Sequence, residues 1–390
     1  MDQDFDVAVI GGGIHGVGVA QAAAAAGYRV LLLEKNHPAA GTSSRSSKLI
    51  HGGLRYLESG QFSLVRESLR ERELLLRNAP SLVSLVPFYI PVYKQMKRRA
   101  WQIRVGLSLY AMLGGCGRHM RFRSVPKREW NQFSGLKMEG LQKVFRYFDG
   151  QTDDAALTRA VLDSAISLGA EAIYPADFVS ASKSDSAFRV EYRYENEQKV
   201  CKTKVLVNAS GPWINLVQQR IQPAPPRVEI ELVQGTHIEL EQPISSGILY
   251  CEAPRDGRAV FIMPWQGKTL VGTTEQVFCG LPDDVQPLPD EIDYLKETLR
   301  AYFPECQANV VDSFAGLRVL PSGNGKLFGR SRETTLITDD ERFPQYLAIY
   351  GGKLTGYRAT AEKVLKVIRR SLPPRKPIAD TRTLKLGNPL

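Results

Sequence analysis

The sequence predicts an α/β fold of two domains, in which a domain built on a β–α–β unit is interleaved with a second, β-rich domain. Three observations lead to this prediction. The chain has 390 residues, which is long for a single hydrophobic core. Its first 34 residues read as a strand, a helix of small residues and a second strand. Residues 227–316 are mostly strand-like segments separated by Gly and Pro, as expected for an inserted β-rich domain.

Hydrophobic periodicity then predicts the individual elements. Alternating or continuous apolar runs predict strands, and apolar residues three and four apart predict helices. The predicted strands are residues 6–10, 29–34, 171–174, 188–194, 199–208, 228–240, 259–263, 269–273 and 310–314. The predicted helices are residues 14–26, 61–78, 98–113, a segment capped by Asp153, Asp154 and Gly169, and 353–371, after which Pro373, Pro374 and Pro377 are expected to end ordered packing.

This order of elements predicts discontinuous domains. The first domain comprises residues 1–80, 149–220 and 315–371, and the second comprises residues 81–148 and 221–314. Residues 372–390 are predicted to form a C-terminal tail.

Composition narrows the class of protein. With 43% hydrophobic and 24% charged residues, the chain is neither disordered nor a collagen nor a coiled coil. The five cysteines show no CxxC and no metal-ligand spacing, which predicts reduced thiols in a cytoplasmic protein without a metal site. The charge-free stretch from Val7 to Tyr28 is interrupted by glycines and follows no basic segment, so it predicts neither a membrane span nor a signal peptide.

Positive charge is concentrated in one segment. Ten of the 51 Lys and Arg lie between Lys94 and Arg128, where there is no Asp or Glu, and the rest of the chain carries no net charge. Nucleic acid, an anionic lipid surface and an acidic substrate each explain such a segment.

The clearest motif is GxGxxG at residues 11–16, directly after the first strand and at the start of the first helix. Gly11 allows a tight turn, Gly13 lets a pyrophosphate approach the helix N-terminus, and Gly16 allows close helix-to-strand packing. Glu34 ends the next strand and can accept hydrogen bonds from ribose hydroxyls. These residues together predict a dinucleotide site, in which the acid at position 34 disfavours a 2′-phosphate.

The following segment distinguishes the cofactor. Residues 41–57, GTSSRSSKLIHGGLRYL, resemble the FAD-dependent glycerol-3-phosphate dehydrogenase family, in which this segment lies along the flavin. Further similar segments extend the resemblance from residue 5 to about 371: residues 66–73, 207–213, 234–237, 263–265, 271–274, 316–320 and 351–358. The resemblance implies the fold of the glycine and D-amino-acid oxidase superfamily. It also implies a short form, because larger members carry a further helical C-terminal domain.

The resemblance implies a set of FAD-binding residues beyond the motif. Two positions beside the predicted flavin depart from the family, which usually has Asn where His15 stands and a second Thr where Gly356 stands. The expected FAD-binding residues are Gly11, Gly13, Ile14, His15, Gly16, Glu34, Lys35, Thr42, Ser43, Ser46, Ser47, Lys48, Leu49, His51, Val179, Ala209, Gly211, Trp213, Gly352, Lys353, Leu354 and Thr355.

Four cations are candidates for an anionic substrate group: Arg55, Arg318, Arg332 and Lys353. Arginine suits bidentate binding of phosphate or carboxylate, and a lysine at a helix start adds charge beside an anion. The resemblance implies that Arg55, Tyr56, Arg318 and Lys353 contact the substrate, with Arg332 as an additional phosphate ligand.

Oxidation of a secondary alcohol needs a base, and histidine has a suitable pKa. Of the five histidines, His51 lies in the flavin-lining segment and His237 lies on a predicted strand of the second domain. His51 is the favoured base and His237 the alternative, with Arg318 as the third catalytic candidate.

Together with these residues, the resemblance implies FAD-dependent oxidation of glycerol 3-phosphate, or a close 2-hydroxy phosphate, to dihydroxyacetone phosphate or the matching ketone. Hydride passes to flavin N5, and the electrons pass to quinone or another acceptor. An amino-acid or sarcosine-type flavin oxidase on the same fold is the alternative, in which Arg318 binds a carboxylate. A nucleic-acid-binding flavoprotein is a third hypothesis, but no recognised nucleic-acid motif supports it.

Residues 98–113 leave two interpretations open. Cations precede a mostly apolar helix, a pattern suited to an anionic membrane interface at the inner face of the cytoplasmic membrane. A buried helix of the second domain with a solvated basic flank has the same pattern.

Overall fold

A computed structural model of the chain describes residues 3–184, 186–322 and 333–387. Two large β-sheets dominate it, with helices packed against them. The strands, in chain order, are β1 (Gln3–Ile10), β2 (Val30–Leu33), β3 (Leu49–Ile50), β4 (Val83–Tyr93), β5 (Arg123–Ser124), β6 (Leu141–Thr152), β7 (Glu171–Ile173), β8 (Asp177–Lys183), β9 (Phe188–Tyr194), β10 (Glu197–Asn208), β11 (Ile221–Gln222), β12 (Ile230–Leu240), β13 (Ile248–Glu252), β14 (Ala259–Trp265), β15 (Lys268–Gly272), β16 (Gln276–Phe278), β17 (Val310–Pro321), β18 (Thr335–Thr338) and β19 (Tyr346–Tyr350). The α-helices are α1 (Ile14–Ala25), α2 (Phe62–Asn78), α3 (Ala100–Leu113), α4 (Asp154–Ser167), α5 (Ile214–Gln218), α6 (Pro289–Tyr302) and α7 (Tyr357–Ile368).

The first sheet carries the predicted β–α–β unit at its centre. Strand β1 pairs in parallel with β2 and β10, so Val7 lies opposite Val30 on one side and Val205 on the other. Within the described ranges the sheet has nine strands, and it continues from β10 to β9, β8 and β11, from β2 to β7, and through β19 to β18. Burial on both faces explains why residues 7–10 of β1 and all of β2 are continuously apolar.

Helix α1 packs against β1, α4 and α7 and is almost wholly buried. Its small residues make this close packing possible. A Cβ atom at Gly18 would lie 2.8 Å from Cδ2 of Tyr357 on α7, so a larger residue there would push the two helices apart. The predicted cap of α4 is also confirmed, since the Asp153 side chain accepts a hydrogen bond from the Ala156 N–H.

The second sheet forms the other half of the molecule. Among the described residues it has ten strands in the order β16, β12, β15, β14, β13, β4, β6 and β3, with β17 paired to β12 and β5 paired to β6. Helix α6 covers β12–β15 and completes an apolar core. Strands β6 and β17 extend across the domain boundaries that the sequence predicted at residues 148 and 314. Each strand therefore contributes residues to both predicted domains.

The C-terminal region differs from the prediction in two ways. A 3-10 turn at Leu354–Gly356 precedes α7, so the α-helix begins later than expected. The expectation that Pro373, Pro374 and Pro377 end ordered packing is wrong. Beyond them, the Ile378 N–H donates to Ala25 O at 2.8 Å and the Leu386 N–H donates to Asn78 O at 2.7 Å. Proline ends the helix, but the extended segment 372–387 continues to pack on α1 and α2.

Helix α3 combines features of both interpretations of residues 98–113. Its Ile103, Leu107 and Tyr110 side chains are buried in the core beside β4 and β6. Its opposite face is apolar and exposed, with Trp101, Val105 and Met112 exposed by 66%, 58% and 61%. Within the described parts of the chain, none of the helices has the length and apolar character needed to cross a bilayer.

Candidate active site

A cavity of about 950 Å³ is lined by residues from both sheets. One part of its wall lies where the parallel strands β1, β2 and β10 end. Gly11, Glu34 and Ala209, which directly follow these three strands, all line it. The carboxyl ends of parallel strands are the usual position for a ligand in an open α/β sheet.

The GxGxxG turn forms the floor of this end of the cavity. Gly11 has a φ of +110°, and a Cβ atom there would lie 2.7 Å from Ala209 O. A Cβ atom at Gly16 would lie 1.9 Å from Gly11 O, so Gly16 serves helix-to-turn packing and does not line the cavity. Both positions therefore require glycine, for backbone conformation in one case and for close approach in the other.

Glu34 and the first turn of α1 provide complementary polar groups. The Glu34 carboxylate accepts hydrogen bonds from the Gly12 N–H at 2.6 Å and the Asn36 N–H at 2.9 Å. The Ile14 N–H donates to Ser43 Oγ at 2.9 Å, and the first turn of α1 contains no acidic residue. The positive end of the helix dipole therefore meets the cavity, as a pyrophosphate requires.

The segment that resembles a flavin-lining stretch is fixed from behind by a buried ion pair. Lys48 Nζ lies 2.6 Å from Asp154 Oδ1, and the Ser46 N–H donates to Asp154 Oδ2 at 2.9 Å. Thr42 Oγ1 donates to Leu317 O at 2.7 Å and so joins the segment to β17. Lys48 thus anchors the segment to the start of α4, and it is not among the residues that line the cavity.

His15 also lines the cavity, and its Nδ1 is buried. Burial lowers the pKa of His15 to about 4, so its ring is neutral at pH 7. Its Nδ1 has no hydrogen-bond partner among the described residues. A Cβ atom at Gly352 would lie 2.2 Å from His15 Nε2, which explains the glycine opposite it.

Most of the predicted cofactor residues lie on this one cavity. Val179 is an exception, although its neighbour Phe178 on β8 is a lining residue. The lining residues that had been predicted to bind FAD are Gly11, Gly13, Ile14, His15, Glu34, Lys35, Thr42, Ser43, Ser46, Ser47, Leu49, His51, Ala209, Gly211, Trp213, Gly352, Lys353, Leu354 and Thr355. FAD fits the residues present: a helix N-terminus that faces the cavity, the acid Glu34 after β2, a buried imidazole nitrogen without a partner among the described residues, and a cavity of about 950 Å³.

The three cations Arg55, Arg318 and Lys353 also line the cavity. Arg55 and Lys353 lie on the ring of Tyr56, with Cζ 5.0 Å and Nζ 3.8 Å from its centroid. Arg318 Nη2 donates to Thr273 Oγ1 at 3.3 Å, and its Nη1 lies 3.5 Å from Glu275 Oε1. Arg332 lies outside the described residues. These cations therefore favour the binding of an anion in the cavity.

The two candidate bases have different surroundings. His51 is half-buried in the cavity wall. Its backbone N–H donates to Thr355 Oγ1 at 3.1 Å, and its ring packs in a T-shaped contact with Phe261. His237 is fully buried, stacked on Phe314, and its Nε2 lies 2.8 Å from Ser47 Oγ.

Burial and the nearby positive charges of Arg318 and Lys48 lower the pKa of His237 to about 3. A histidine with that pKa is a weak base at neutral pH.

Several lining residues were not identified from the sequence. Tyr147, Tyr250 and Phe261 contribute aromatic surface from the second sheet, and Thr273 contacts Arg318. Residues 271–274 belong to a segment that carries the family resemblance, so Thr273 could have been found from that signal. The aromatic residues lie on strands whose sequences do not distinguish cavity-facing from core-facing positions.

Comparison with known proteins gives consistent results. Residues 6–358 match the family described as FAD dependent oxidoreductase. The chain is 36% identical to D-erythritol 1-phosphate dehydrogenase of Brucella abortus, covering 94% of this chain and 74% of that protein. It is 37% identical to glycerol-3-phosphate dehydrogenase of Pseudomonas aeruginosa, covering 93% and 71%.

Solved structures agree with the sequence relatives. The glycerol-3-phosphate dehydrogenase of Bacillus halodurans, complexed with FAD, is 25% identical, with a TM-score of 0.76 over 98% of this chain and 68% of that chain. Glycine oxidase of Geobacillus kaustophilus is 20% identical, with a TM-score of 0.72 over 97% and 99%, and this likeness concerns the fold alone.

These findings confirm the predicted fold class, the predicted resemblance and FAD as the cofactor. A matched family over most of the chain and a cavity suited to FAD lead to the same conclusion: the chain belongs to the FAD dependent oxidoreductase family.

Proposed function

We propose that this protein oxidises glycerol 3-phosphate, or a close 2-hydroxy phosphate of a polyol, to the corresponding ketone. The relatives that act on phosphorylated polyols, by their names, support this proposal. The observation that carries it is the group of Arg55, Arg318 and Lys353 in the FAD cavity.

The charge balance of this group favours phosphate over carboxylate. Glu275 is fully buried and lies 2.7 Å from Arg258 and 3.5 Å from Arg318, so it offsets part of the positive charge. Arg55 and Lys353, both close to the Tyr56 ring, add two further positive charges. A phosphate monoester carries nearly two negative charges at pH 7, whereas an amino-acid carboxylate carries one. The cluster therefore suits the phosphate better.

We assign the proton transfer to His51. The ring of His51 lies on the cavity wall, and its backbone is held by Thr355, so it can accept the proton of the substrate hydroxyl. Bound FAD supplies the acceptor for the hydride that leaves the adjacent carbon. Arg318 and Lys353 hold the phosphate and thereby orient the carbon that is oxidised.

The decisive experiment is anaerobic mixing of the yellow protein with candidate substrates, followed at the flavin absorbance. Glycerol 3-phosphate or a four-carbon polyol phosphate is expected to bleach the flavin, and glycine, sarcosine and free glycerol are not. Bleaching by the amino acids, with an imine product or ammonia, would support the oxidase alternative instead. Failure of every polyol phosphate to reduce the flavin would contradict the proposal.

We further propose that the exposed face of α3 docks on an anionic membrane surface, where the electrons pass to quinone. The apolar residues Trp101, Val105 and Met112 are exposed on this helix. A groove beside them is lined by Arg99, Trp101, Arg104 and Lys143. An apolar stripe beside cations is complementary to the interface of an anionic bilayer. Such a protein would be cytoplasmic and peripheral at the inner face of the cytoplasmic membrane.

A further inference from the structure

A buried polar network meets the loop that carries His51 and Arg55. The Gly52 N–H donates to the Tyr110 hydroxyl at 2.7 Å, and that hydroxyl donates to Asp149 Oδ2 at 2.6 Å. The other carboxylate oxygen of Asp149 accepts from Arg72 Nη1 at 2.5 Å. Arg72 lies on α2, Tyr110 on α3 and Asp149 on β6, so three elements of the core converge on one peptide group.

This network is completely removed from solvent. The side chains of Arg72 and Asp149 are 0% and 1% exposed, and Tyr110 is fully buried. Burial raises the pKa of the Asp149 carboxyl, while Arg72, the Tyr110 hydroxyl and the Gly52 peptide favour its charged form. Removing two charges from water costs free energy, so a buried ion pair adds little stability compared with a well-packed apolar core. The geometry that the Arg72–Asp149 pair imposes explains its presence better than stability does.

The geometry it imposes is that of residues 51–56. Strand β3 ends at Ile50, and beyond it the successive N–H groups of His51 and Gly52 bind side-chain hydroxyls in place of a neighbouring strand. A Cβ atom at Gly52 would lie 2.6 Å from the Tyr110 hydroxyl oxygen and 2.7 Å from Leu69 Cδ2. The loop is therefore pressed directly onto α2 and α3.

The loop can contact α2 and α3 this closely only with glycine at position 52. The hydrogen bond from the Gly52 N–H to the Tyr110 hydroxyl then sets where the residues on either side of Gly52 lie. His51 and Arg55, on either side, both line the cavity. We propose that Tyr110, held by Asp149 and Arg72, is a positioning residue that places His51 and Arg55 for the oxidation. This inference rests on the proposed function for its kinetic test, and on the network alone for its structural test.

Tyr110→Phe is the informative variant, because it removes one hydroxyl and keeps the ring that packs edge-on against Tyr147. The matched control is Tyr93→Phe. Tyr93, on β4, is buried like Tyr110, and its hydroxyl donates to Lys137 O at 2.6 Å. It does not line the cavity.

The structural test is amide hydrogen exchange of the FAD-bound protein in the peptide covering residues 49–57. Tyr110→Phe is expected to accelerate exchange in this peptide at least tenfold, and Tyr93→Phe is expected to leave it unchanged. Equal protection in Tyr110→Phe and the unsubstituted protein would overturn the proposal. So would equal acceleration in both variants, because a general loss of stability would then explain the effect.

The kinetic test is the rate constant of anaerobic flavin reduction by saturating glycerol 3-phosphate. Tyr110→Phe is expected to lower it at least tenfold with full FAD content, and Tyr93→Phe is expected to change it less than twofold. In a His51→Gln background, Tyr110→Phe should cost less than about threefold, because the part of its effect that acts through His51 is then already lost. The same tenfold cost in both backgrounds would contradict positioning of His51.

Two further outcomes are distinguishable. If glycerol 3-phosphate does not reduce the unsubstituted protein, the proposed function fails, and the exchange experiment still decides whether Tyr110 positions the loop. If Tyr110→Phe does not retain FAD, Asp149→Asn replaces it, because the neutral amide no longer forms the ion pair with Arg72 and holds the Tyr110 hydroxyl less firmly. Asp149→Asn is then expected to accelerate exchange in residues 49–57, and unchanged exchange would overturn the proposal.

Discussion

Ser47 and His237 are 190 positions apart in the chain, and their side chains lie 2.8 Å apart, from Oγ to Nε2. This contact joins residues 41–57 to β12 of the second sheet. His237 is buried, neutral and stacked on Phe314, so its geometry suits a structural contact. The more open His51 is then the better candidate for the base.

Replacing each histidine separately tests this distinction. His51→Gln is expected to slow anaerobic flavin reduction at least a hundredfold while FAD stays bound, because loss of a general base typically costs between about a hundredfold and ten-thousandfold. His237→Gln is expected to slow it less than about tenfold, since glutamine can still bind Ser47. Stopped-flow absorbance measures both rates. A larger defect in His237→Gln would reverse the assignment.

Loss of either phosphate-binding cation is expected to weaken substrate turnover. Arg318→Ala and Lys353→Ala should each lower kcat/KM at least tenfold, because a charge-assisted contact is worth about 1.5–3 kcal/mol. Lys363→Ala is the control, since Lys363 is a surface cation paired with Glu67 outside the cavity. Normal kcat/KM in both cavity variants would show that the anion binds elsewhere.

Gly13→Val is expected to abolish FAD binding without unfolding the protein. A Cβ atom at Gly13 would lie 3.2 Å from Ser43 Oγ, at the helix N-terminus that faces the cavity. The two additional methyl groups of valine would occupy the space needed by a pyrophosphate. The flavin-to-protein absorbance ratio measures the loss. Gly117→Val, at a position where no atom lies within 4 Å of the added Cβ, should keep its FAD.

Acid should destabilise the protein partly through His237. Its pKa is lowered to about 3 in the folded chain, against about 6.5 when unfolded, so the unfolded state binds the extra proton between these values. The contribution of neutral His237 to stability is therefore complete above pH 6.5 and falls as pH decreases toward 3.

The expected slope is on the order of 1 kcal/mol per pH unit. His237→Gln should flatten the fall in the free energy of unfolding between pH 6 and pH 4 by about this amount. Urea unfolding at each pH measures it. The control is His119→Gln, because the His119 side chain is 54% exposed and its variant should follow the unsubstituted protein. Parallel pH profiles for all three proteins would disprove burial of a neutral His237.

Binding to liposomes tests the proposed membrane face. The protein should sediment with anionic liposomes at low salt and dissociate as salt rises, because each nearby cation contributes about 1 kcal/mol. The triple variant of Arg99, Arg104 and Lys143 to Gln should bind at least tenfold more weakly. Arg98 is unsuitable for this set, since it forms ion pairs with Glu58 and Glu252.

Trp101→Ser and Met112→Ser should also weaken binding to anionic liposomes, because both side chains are exposed on the same helix. Ser108→Ala is the control on α3. If the protein did not sediment with anionic liposomes at low salt, the proposed membrane face would be wrong. Helix α3 would then simply pack on the second sheet with its outer face in solvent.

Local sequence determined the β–α–β unit and the cofactor turn. Gly11 and Gly16 are required by a backbone conformation and a contact within a few residues, so the motif and its neighbours were sufficient to predict them. The alternation of apolar residues also determined β9, because this strand has one face toward a core. Such signals depend only on neighbouring residues along the chain.

Tertiary pairing decided elements that the sequence pattern obscured. Strand β4 contains Pro87 and Pro91, which normally argue against a strand within a sheet, and it nevertheless lies between β6 and β13. Proline removes an N–H donor, but whether that donor would have been needed depends on which strand lies beside it. That neighbour is distant in the sequence.

The chemistry of the site was likewise decided in three dimensions. The sequence placed Lys48 and His51 in the segment expected at the flavin and His237 on a strand of the second domain, and it favoured His51 as the base without showing what surrounds each side chain. Contact with Asp154 from α4 buries Lys48 in an ion pair, and Arg318 and Phe314 from β17 surround His237. The pKa and the accessibility of a side chain depend on the charges and the solvent around it, and only folding brings those distant groups together.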